Sequence, residues 1–337
     1  MKKPRVLALA AVLAVAAPLV LAGCSSDDAP RIVVYNAQHE PLLKELAPAF
    51  TEETGIEVTL RNGKDLELSN QLIAEGKASP ADVFLTENSP AMSQVESAGL
   101  FQKLPADLVE PIPSQFRPKS GLWTGFVARS TVLVYNTDKV TEDELPTSIM
   151  DLVDPEWKGR ISFSPTGADF QAIVAAVLEL EGPHATKKWL EGIRANGTVY
   201  DGNNVVLESV NAGKSDAGII YHYYWYRDQK EDGEVSNNTR LHFFGNQDPG
   251  AFVSVSGAGI LKSSKHPDLA RKFIKFLVSE KGQQGLADSY ALEYPLNPAV
   301  QLEPAVKPFS ELQPPELNVS DLDAATVVDL MTEVGFL

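Results

Sequence analysis

The chain has 337 residues, 44% apolar and 22% charged, the balance of a folded soluble protein too long for one ordinary core; two lobes are expected, and disorder, collagen and a multi-span membrane protein are excluded. With 29 lysines and arginines against 45 acids the net charge is −16, a surface that repels nucleic-acid phosphates and argues against a DNA- or RNA-binding role. Cys24 is the single cysteine, so neither an internal disulfide nor a thiolate metal cluster can form, and any metal site must use oxygen and nitrogen donors.

Lys2, Lys3 and Arg5 precede an apolar run from Val6 to Val20, shorter than the roughly 18–20 residues that span a bilayer, and Leu21-Ala22-Gly23-Cys24 closes it. Residues 1–23 are therefore expected to be a secretion signal; a short signal anchor is the alternative. The Leu-Ala-Gly-Cys string resembles the lipobox of bacterial lipoproteins, which implies cleavage before Cys24 and diacylglycerol on its sulfur. The mature chain would then sit outside the cytoplasmic membrane, tethered through the polar linker 24–30.

From Arg31 onward strand and helix alternate. Ile32 to Tyr35 is an apolar strand, and Leu43, Leu46 and Phe50 fall at helical spacing before Gly55, although Pro48 weakens that helix. Ile56, Val58 and Leu60 alternate with polar residues as a strand, Leu68, Leu72 and Ile73 follow on a helix ending near Gly76, and Ala81 to Leu85 is the next strand. This order predicts an α/β fold with a mostly parallel sheet flanked by helices, its ligand crevice beyond the carboxyl ends of the strands. Tyr35 to His39 and Thr86 to Ser89 fall at that crevice.

A proline-rich segment around Pro105, Pro111, Pro113 and Pro118 leads to a long strand, Phe126 to Tyr135, able to cross from one lobe to the other. A second αβ unit begins at Ile161, with helices at Phe170–Leu180 and Ala185–Ile193, the apolar stretch Val205–Val210, and strands at Ala217–Ile220 and Phe252–Ile260. Leu269, Phe273, Phe276 and Leu277 form an apolar helical stripe, and an amphipathic segment near Leu322 to Met331 is expected to pack back on a lobe.

Tyr221-His222-Tyr223-Tyr224-Trp225-Tyr226, directly after a buried strand, places four phenols in six residues at the crevice rim. Such a string suits an aromatic packing patch. It also suits a hard-cation site, because a phenol with its pKa of about 10 ionises only when a strong charge offsets the cost.

Several separated strings in the same order resemble the ferric-ion-binding proteins of bacterial ABC importers: Val34 to His39, Ser79 to Phe84 with Glu87, Tyr223-Tyr224-Trp225, and Glu293 to Pro298. The similarity runs from about Arg31 to about Val300. It implies a two-lobed periplasmic-binding-protein fold with the ligand cleft between lobes, 31–130 with 253–303 forming lobe 1 and 131–252 with 304–337 lobe 2. It also implies that His39, Glu87, Tyr223 and Tyr224 bind Fe(III). Carboxylate and phenolate are hard donors suited to that ion, and one carboxylate with two phenolates balances its charge. Two octahedral positions remain, which the resemblance assigns to carbonate or phosphate as a synergistic anion, with or without water.

The anion loop departs from those relatives. Where phosphate-holding members follow Pro-Thr with Ser-Gly-Ala, this chain follows Pro165-Thr166 with Gly167-Ala168-Asp169. A helix N-terminus at Thr166, Gly167 and Ala168 presents N–H groups to an anion, yet Thr166 and Asp169 also have capping-box spacing, in which Asp169 would occupy those donors itself. Arg129 matches a family arginine near the anion, Asn203 a polar neighbour, and Asn88 stands beside Glu87. Tyr221 is a candidate extra metal ligand. His184, His242 and His266 lack metal spacing and are expected to be structural or on the surface.

The sequence lacks His-Glu-x-x-His, Gly-x-Ser-x-Gly and a phosphate loop ending in Lys-Ser/Thr, so protease, serine-hydrolase and ATPase readings have no starting residue. The favoured expectation is a non-enzymatic, monomeric solute-binding protein that captures ferric ion and passes it to an ABC permease driven by a separate ATPase subunit. A same-fold carrier of a phosphonate, thiamine or polyamine is the alternative, although an aromatic clamp needs neither His39 nor Glu87. A surface enzyme using metal-bound water is disfavoured, because tyrosinates leave the metal a poor Lewis acid.

Overall fold

In a computed structural model that describes residues 29–319 and 321–337, strands and helices alternate as the hydrophobic periodicity requires. The expected signal segment, 1–23, and the expected lipidation of Cys24 fall outside the described residues. β1 (Arg31–Asn36) enters α1 (Glu40–Thr54), which buries Leu42, Leu43, Leu46 and Phe50 and ends at Gly55 in the left-handed conformation, φ 70°. Helix α1 runs through Pro48: packing of that apolar face outweighs the roughly 3 kcal/mol that an interior proline costs. β2 (Glu57–Asn62), α2 (Asp65–Glu75), β3 (Val83–Leu85) and α3 (Ser89–Ser97) complete the first αβ series. Leu68 and Leu72 of α2 are buried, whereas Ile73, expected on the same face, is 40% exposed.

A short helix, α4 (Ala106–Val109), precedes β4 (Thr124–Asn136), buried along its whole length. The second series contains β5 (Ile161–Phe163), α5 (Ala168–Asn196), β6 (Gly197–Val199), α6 (Asn203–Asn211), β7 (Ala217–Tyr221), α7 (His222–Glu231) and β8 (Thr239–His242). Helix α5 breaks at Gly182, φ 80°, with Pro183 following, and so divides into the two helices that the sequence predicts. The stretch 205–210 lies within α6.

The chain then returns through β9 (Val253–Ile260), α8 (Pro267–Val278), α9 (Glu280–Asp288), β10 (Tyr294–Pro295) and finally α10 (Ala324–Val334). Helix α10 packs on α5, where Arg194 donates to the Val334 carbonyl, and Phe336, just beyond α10, meets Phe163 of β5 edge-on at 5.5 Å.

Among the described residues the strand order is β2-β1-β3-β9-β4-β7-β5-β6, with β8 and β10 also pairing with β4. The outer pairings, β2-β1-β3 and β7-β5-β6, are parallel, as expected for βαβ units. Every pairing of β4 and β9 is antiparallel, so "mostly parallel" describes only the flanks of a mixed sheet. The reason is β4 itself. Residues 124–130 pair with β9 and residues 131–136 with β7 and β8, so one strand belongs to both halves of the fold. The carboxyl ends of β1, β3, β5 and β7 therefore open toward one cleft, and the helices that follow them aim their N-termini into it.

Candidate metal centre

His39 stands at the N-cap position of α1 without its side chain capping the helix, Glu87 and Asn88 form the turn between β3 and α3, and Tyr221 to Tyr224 turn from β7 into α7. The fold brings these segments together. His39 Nε2 lies 3.1 Å from Glu87 Oε1 and 3.3 Å from the Tyr223 hydroxyl. Tyr224 stacks on Tyr223 with ring centroids 4.2 Å apart. An octahedral hard cation with bonds of about 2.0–2.1 Å holds neighbouring donors about 2.9 Å apart, close to these separations. Among the described residues, His, Cys, Asp and Glu alone form no metal-holding group of three or more, so a metal here depends on the phenols. His39 and Glu87 side chains are 22% and 19% exposed, which leaves the centre open to solvent on one side.

Beneath this group is a buried ion pair. Arg129, on β4, places Nη2 2.9 Å from Glu293 Oε2, both side chains fully buried, and its Nη1 donates to the Glu87 carbonyl. The other oxygen of Glu293 lies 3.0 Å from His39 Nδ1. Asp65 accepts the Glu87 and Asn88 backbone N–H groups at 2.9 and 2.8 Å, which fixes the turn that presents Glu87.

The remaining predicted residues divide. Thr166 is exposed and Gly167 and Ala168 are half-buried; Gly167 is the N-cap of α5, and no side chain caps it. The capping-box geometry of Thr166 and Asp169 is thus not formed, because the Asp169 carboxylate turns into the cleft. There it accepts from Asn88 Nδ2 at 3.2 Å, Asn203 Nδ2 at 2.8 Å and the Tyr224 hydroxyl at 3.2 Å. Tyr221 is fully buried, its hydroxyl 3.4 Å from Asn88 Oδ1 and 3.3 Å from the Asp169 carbonyl. His184 is exposed, His242 bonds the Pro146 carbonyl at 3.0 Å, and His266 pairs with Asp82 at 3.5 Å, all apart from the cleft.

Residues 78–315 match the model of the bacterial extracellular solute-binding proteins. The chain belongs to that family. It is 50% identical over 337 residues to the Fe(3+)-binding periplasmic protein of Serratia marcescens, covering 99% of this chain and all of the relative. It is 40% identical over 300 residues to the major ferric iron-binding protein of Neisseria meningitidis serogroup B, covering 88% of this chain and 90% of the relative. Its fold is similar to that of iron-bound HitA from Pseudomonas aeruginosa, with a TM-score of 0.86 and 44% identity, over 91% of this chain and 99% of that one. The expected periplasmic-binding-protein fold is borne out.

Electrostatics in this solute-binding cleft favour protons on His39 and the phenols and oppose them on Glu293 and Glu87. Burial works against a charged His39, but hydrogen bonds to Glu293 and Glu87 prevail and push its pKa up to about 10. Burial, then the Asp169 charge, raises the phenols of Tyr221, Tyr223 and Tyr224. Against its own burial, Glu293 is held down to about 2 by Arg129 and His39.

Sequence reasoning left Glu293 and Asp65 without a role in the cleft and read Asp169 as a helix cap. Glu293 lies within a string that carries the family resemblance, but its link to His39 spans 254 positions. Asp65 reads as an ordinary first-turn acid of α2. Asp169 has the spacing of a cap, and only the tertiary structure shows where its carboxylate goes.

Proposed function

We propose that the cleft holds ferric ion through His39 Nε2, Glu87, Tyr223 and Tyr224, and that the protein carries this ion outside the cytoplasm to an ABC-type importer. The observation that supports this most is the convergence of His39 Nε2, Glu87 Oε1 and the Tyr223 hydroxyl within 3.3 Å, with Tyr224 stacked alongside. Two phenolates and a carboxylate neutralise a trivalent ion, and neutral imidazole completes the set. No step of catalysis is needed. Capture and release follow from opening and closing the cleft, whose two sides meet at His39 with Tyr223 and at Asn88 with Asp169.

We assign 31–130 with 253–303 to one lobe and 131–252 with 304–337 to the other, because β4 exchanges β9 for β7 between Ser130 and Thr131 and β9 begins at Val253. The Leu21-Ala22-Gly23-Cys24 string supports lipid attachment at Cys24; Cys24→Ala should move the protein from the membrane fraction to the soluble one. Arg129, Asn88, Asn203 and the α5 start at Thr166, Gly167 and Ala168 surround the coordination positions left by four protein donors, where carbonate or phosphate is the soluble candidate. Visible absorption after addition of ferric citrate tests the central assignment. A tyrosinate-to-iron charge-transfer band is expected, and a colourless protein would overturn it.

A further inference from the structure

Between Ser130 and Thr131 the crossing strand changes partners, and a side chain fills the seam. Ser130 pairs with Val253 of β9 and Thr131 with Tyr221 of β7. His222, fully buried at the first position of α7, lies against that point. Its Nδ1 accepts the Ser130 N–H at 3.2 Å, which puts the ring proton on Nε2, and Nε2 donates to the Leu292 carbonyl at 3.1 Å. The ring also stacks on Tyr294, with centroids 4.4 Å and planes 12° apart. One imidazole thus ties the strand shared by both halves of the fold to a loop of the first half and a helix of the second.

Both ends of this tie lead to the metal centre. Tyr223 and Tyr224 directly follow His222 in α7, and Glu293, which bonds His39, directly follows Leu292. Leu292 has φ 54°, in the left-handed region that a residue with a side chain rarely adopts, and strain of this kind persists only where the surroundings hold it. Here His222 holds the Leu292 carbonyl, and Arg129 and His39 hold Glu293 beyond it. We propose that His222 is the pin of the hinge, a positioning residue whose Nε2 bond to Leu292 keeps the tyrosine turn in register with the Glu293–His39 pair. Donors from the two sides of the cleft then meet at one point each time it closes. His222 is not itself a ligand, since backbone groups engage both ring nitrogens. Its effect on iron rests on the ferric reading of the cleft; the tie itself does not.

The test compares His222→Gln with His222→Asn in the purified mature protein at neutral pH. A glutamine amide reaches the place of Nε2 and can donate to Leu292, whereas an asparagine amide reaches only the place of Nδ1 and can accept from Ser130. Each variant strands one buried backbone group, so a merely structural role lowers both Tm values and leaves the two ferric affinities alike. The pin predicts a split. His222→Asn should lose about 10-fold in ferric affinity measured against citrate, through faster iron release, and should keep the charge-transfer band because both phenolates remain. His222→Gln should bind as the wild type does. Hydrogen exchange in the metal-free protein gives a reading that needs no iron: amides in 289–293 should exchange faster than wild type in His222→Asn and at the wild-type rate in His222→Gln. Equal ferric affinities in the two variants, or equal exchange over 289–293, would overturn the proposal. Should His222→Asn not fold, His222→Gln carries the test, and a loss of about 10-fold in its affinity or faster exchange over 289–293 overturns the pin. A colourless wild type would overturn the ferric reading, and the exchange measurement would then decide the pin alone.

Discussion

Glu293 Oε1 lies 3.0 Å from His39 Nδ1, and this contact decides which imidazole nitrogen faces the cleft. With Nδ1 bonded inward, Nε2 is left toward Glu87 and Tyr223, the arrangement in which a carboxylate orients a metal-binding histidine and raises its basicity. The second oxygen of Glu293 is held by Arg129, so ligand orientation is anchored to the strand that joins the two halves of the fold.

Replacement of Glu293 should therefore act at a distance from the ion. Glu293→Gln can still accept from His39 but leaves the buried Arg129 charge unbalanced; we expect a loss of about 10–100-fold in ferric affinity. Uncompensated burial of Arg129 should also cost about 3–5 kcal/mol of stability in the metal-free protein. Competition against citrate and chemical denaturation measure the two effects separately. Full ferric affinity in this variant would show that His39 needs no such support.

Tyr223→Phe and Tyr224→Phe each remove one anionic donor while keeping the stacked rings, so the fold should survive and tight ferric binding should not. His39→Ala and Glu87→Ala should weaken binding less completely, because water or an anion can enter the vacated position. The charge-transfer band gives an independent readout: it should weaken and shift in the tyrosine variants and persist in the other two. Unchanged affinity in both phenylalanine variants would refute the ligand assignment.

The crevice position of His39, Glu87, Tyr223 and Tyr224 was legible because each lies within three residues of a strand end, and strand ends in an α/β fold lie at the crevice; their assignment as iron donors came from the family resemblance alone. The long crossing strand was legible for a local reason too, two apolar runs joined through Arg129, Ser130 and Thr131 without a turn signal, now seen as β4. Antiparallel pairing of β4 and β9 was not, since hydrophobic runs carry no direction. Asp169 was ambiguous: a cap and a cleft carboxylate have the same spacing, and the choice depends on Asn88 and Asn203, 81 and 34 positions away.

Proton release follows from the metal-free state of the cleft. His39, with its pKa pushed up to about 10, is protonated at neutral pH, and Tyr223 and Tyr224 are raised above their ordinary value, so these three sites all carry protons. Each must give one up when it becomes a donor. Ferric binding at neutral pH should thus release protons from His39 and from both phenols, and apparent affinity should fall steeply with acidification. Calorimetry in buffers of different ionisation enthalpy counts the protons; a count near zero would exclude tyrosinate coordination.

His222 should set part of the acid limit of the metal-free fold. Its Nδ1 accepts the Ser130 N–H at 3.2 Å and its Nε2 donates to the Leu292 carbonyl at 3.1 Å, a pattern that only the neutral ring can make. Burial lowers its pKa to about 3, with Arg129 adding to the effect and Glu293 opposing it. Because the folded value lies below the unfolded one of about 6.5, the unfolded chain takes up the extra proton as pH falls, and stability present above about 6.5 is lost progressively toward 3. His39 works in the opposite sense: its stabilisation is present below about 6.5 and is lost as pH rises toward 10. His222→Phe keeps a ring against Tyr294, now stacked at 4.4 Å, but strands the Ser130 and Leu292 groups, so its Tm at neutral pH should be lower than wild type. Its decline below pH 6.5 should be shallower, and the two melting curves should converge with acid. Parallel acid limbs in the two proteins would show that protonation of His222 has no part in acid unfolding.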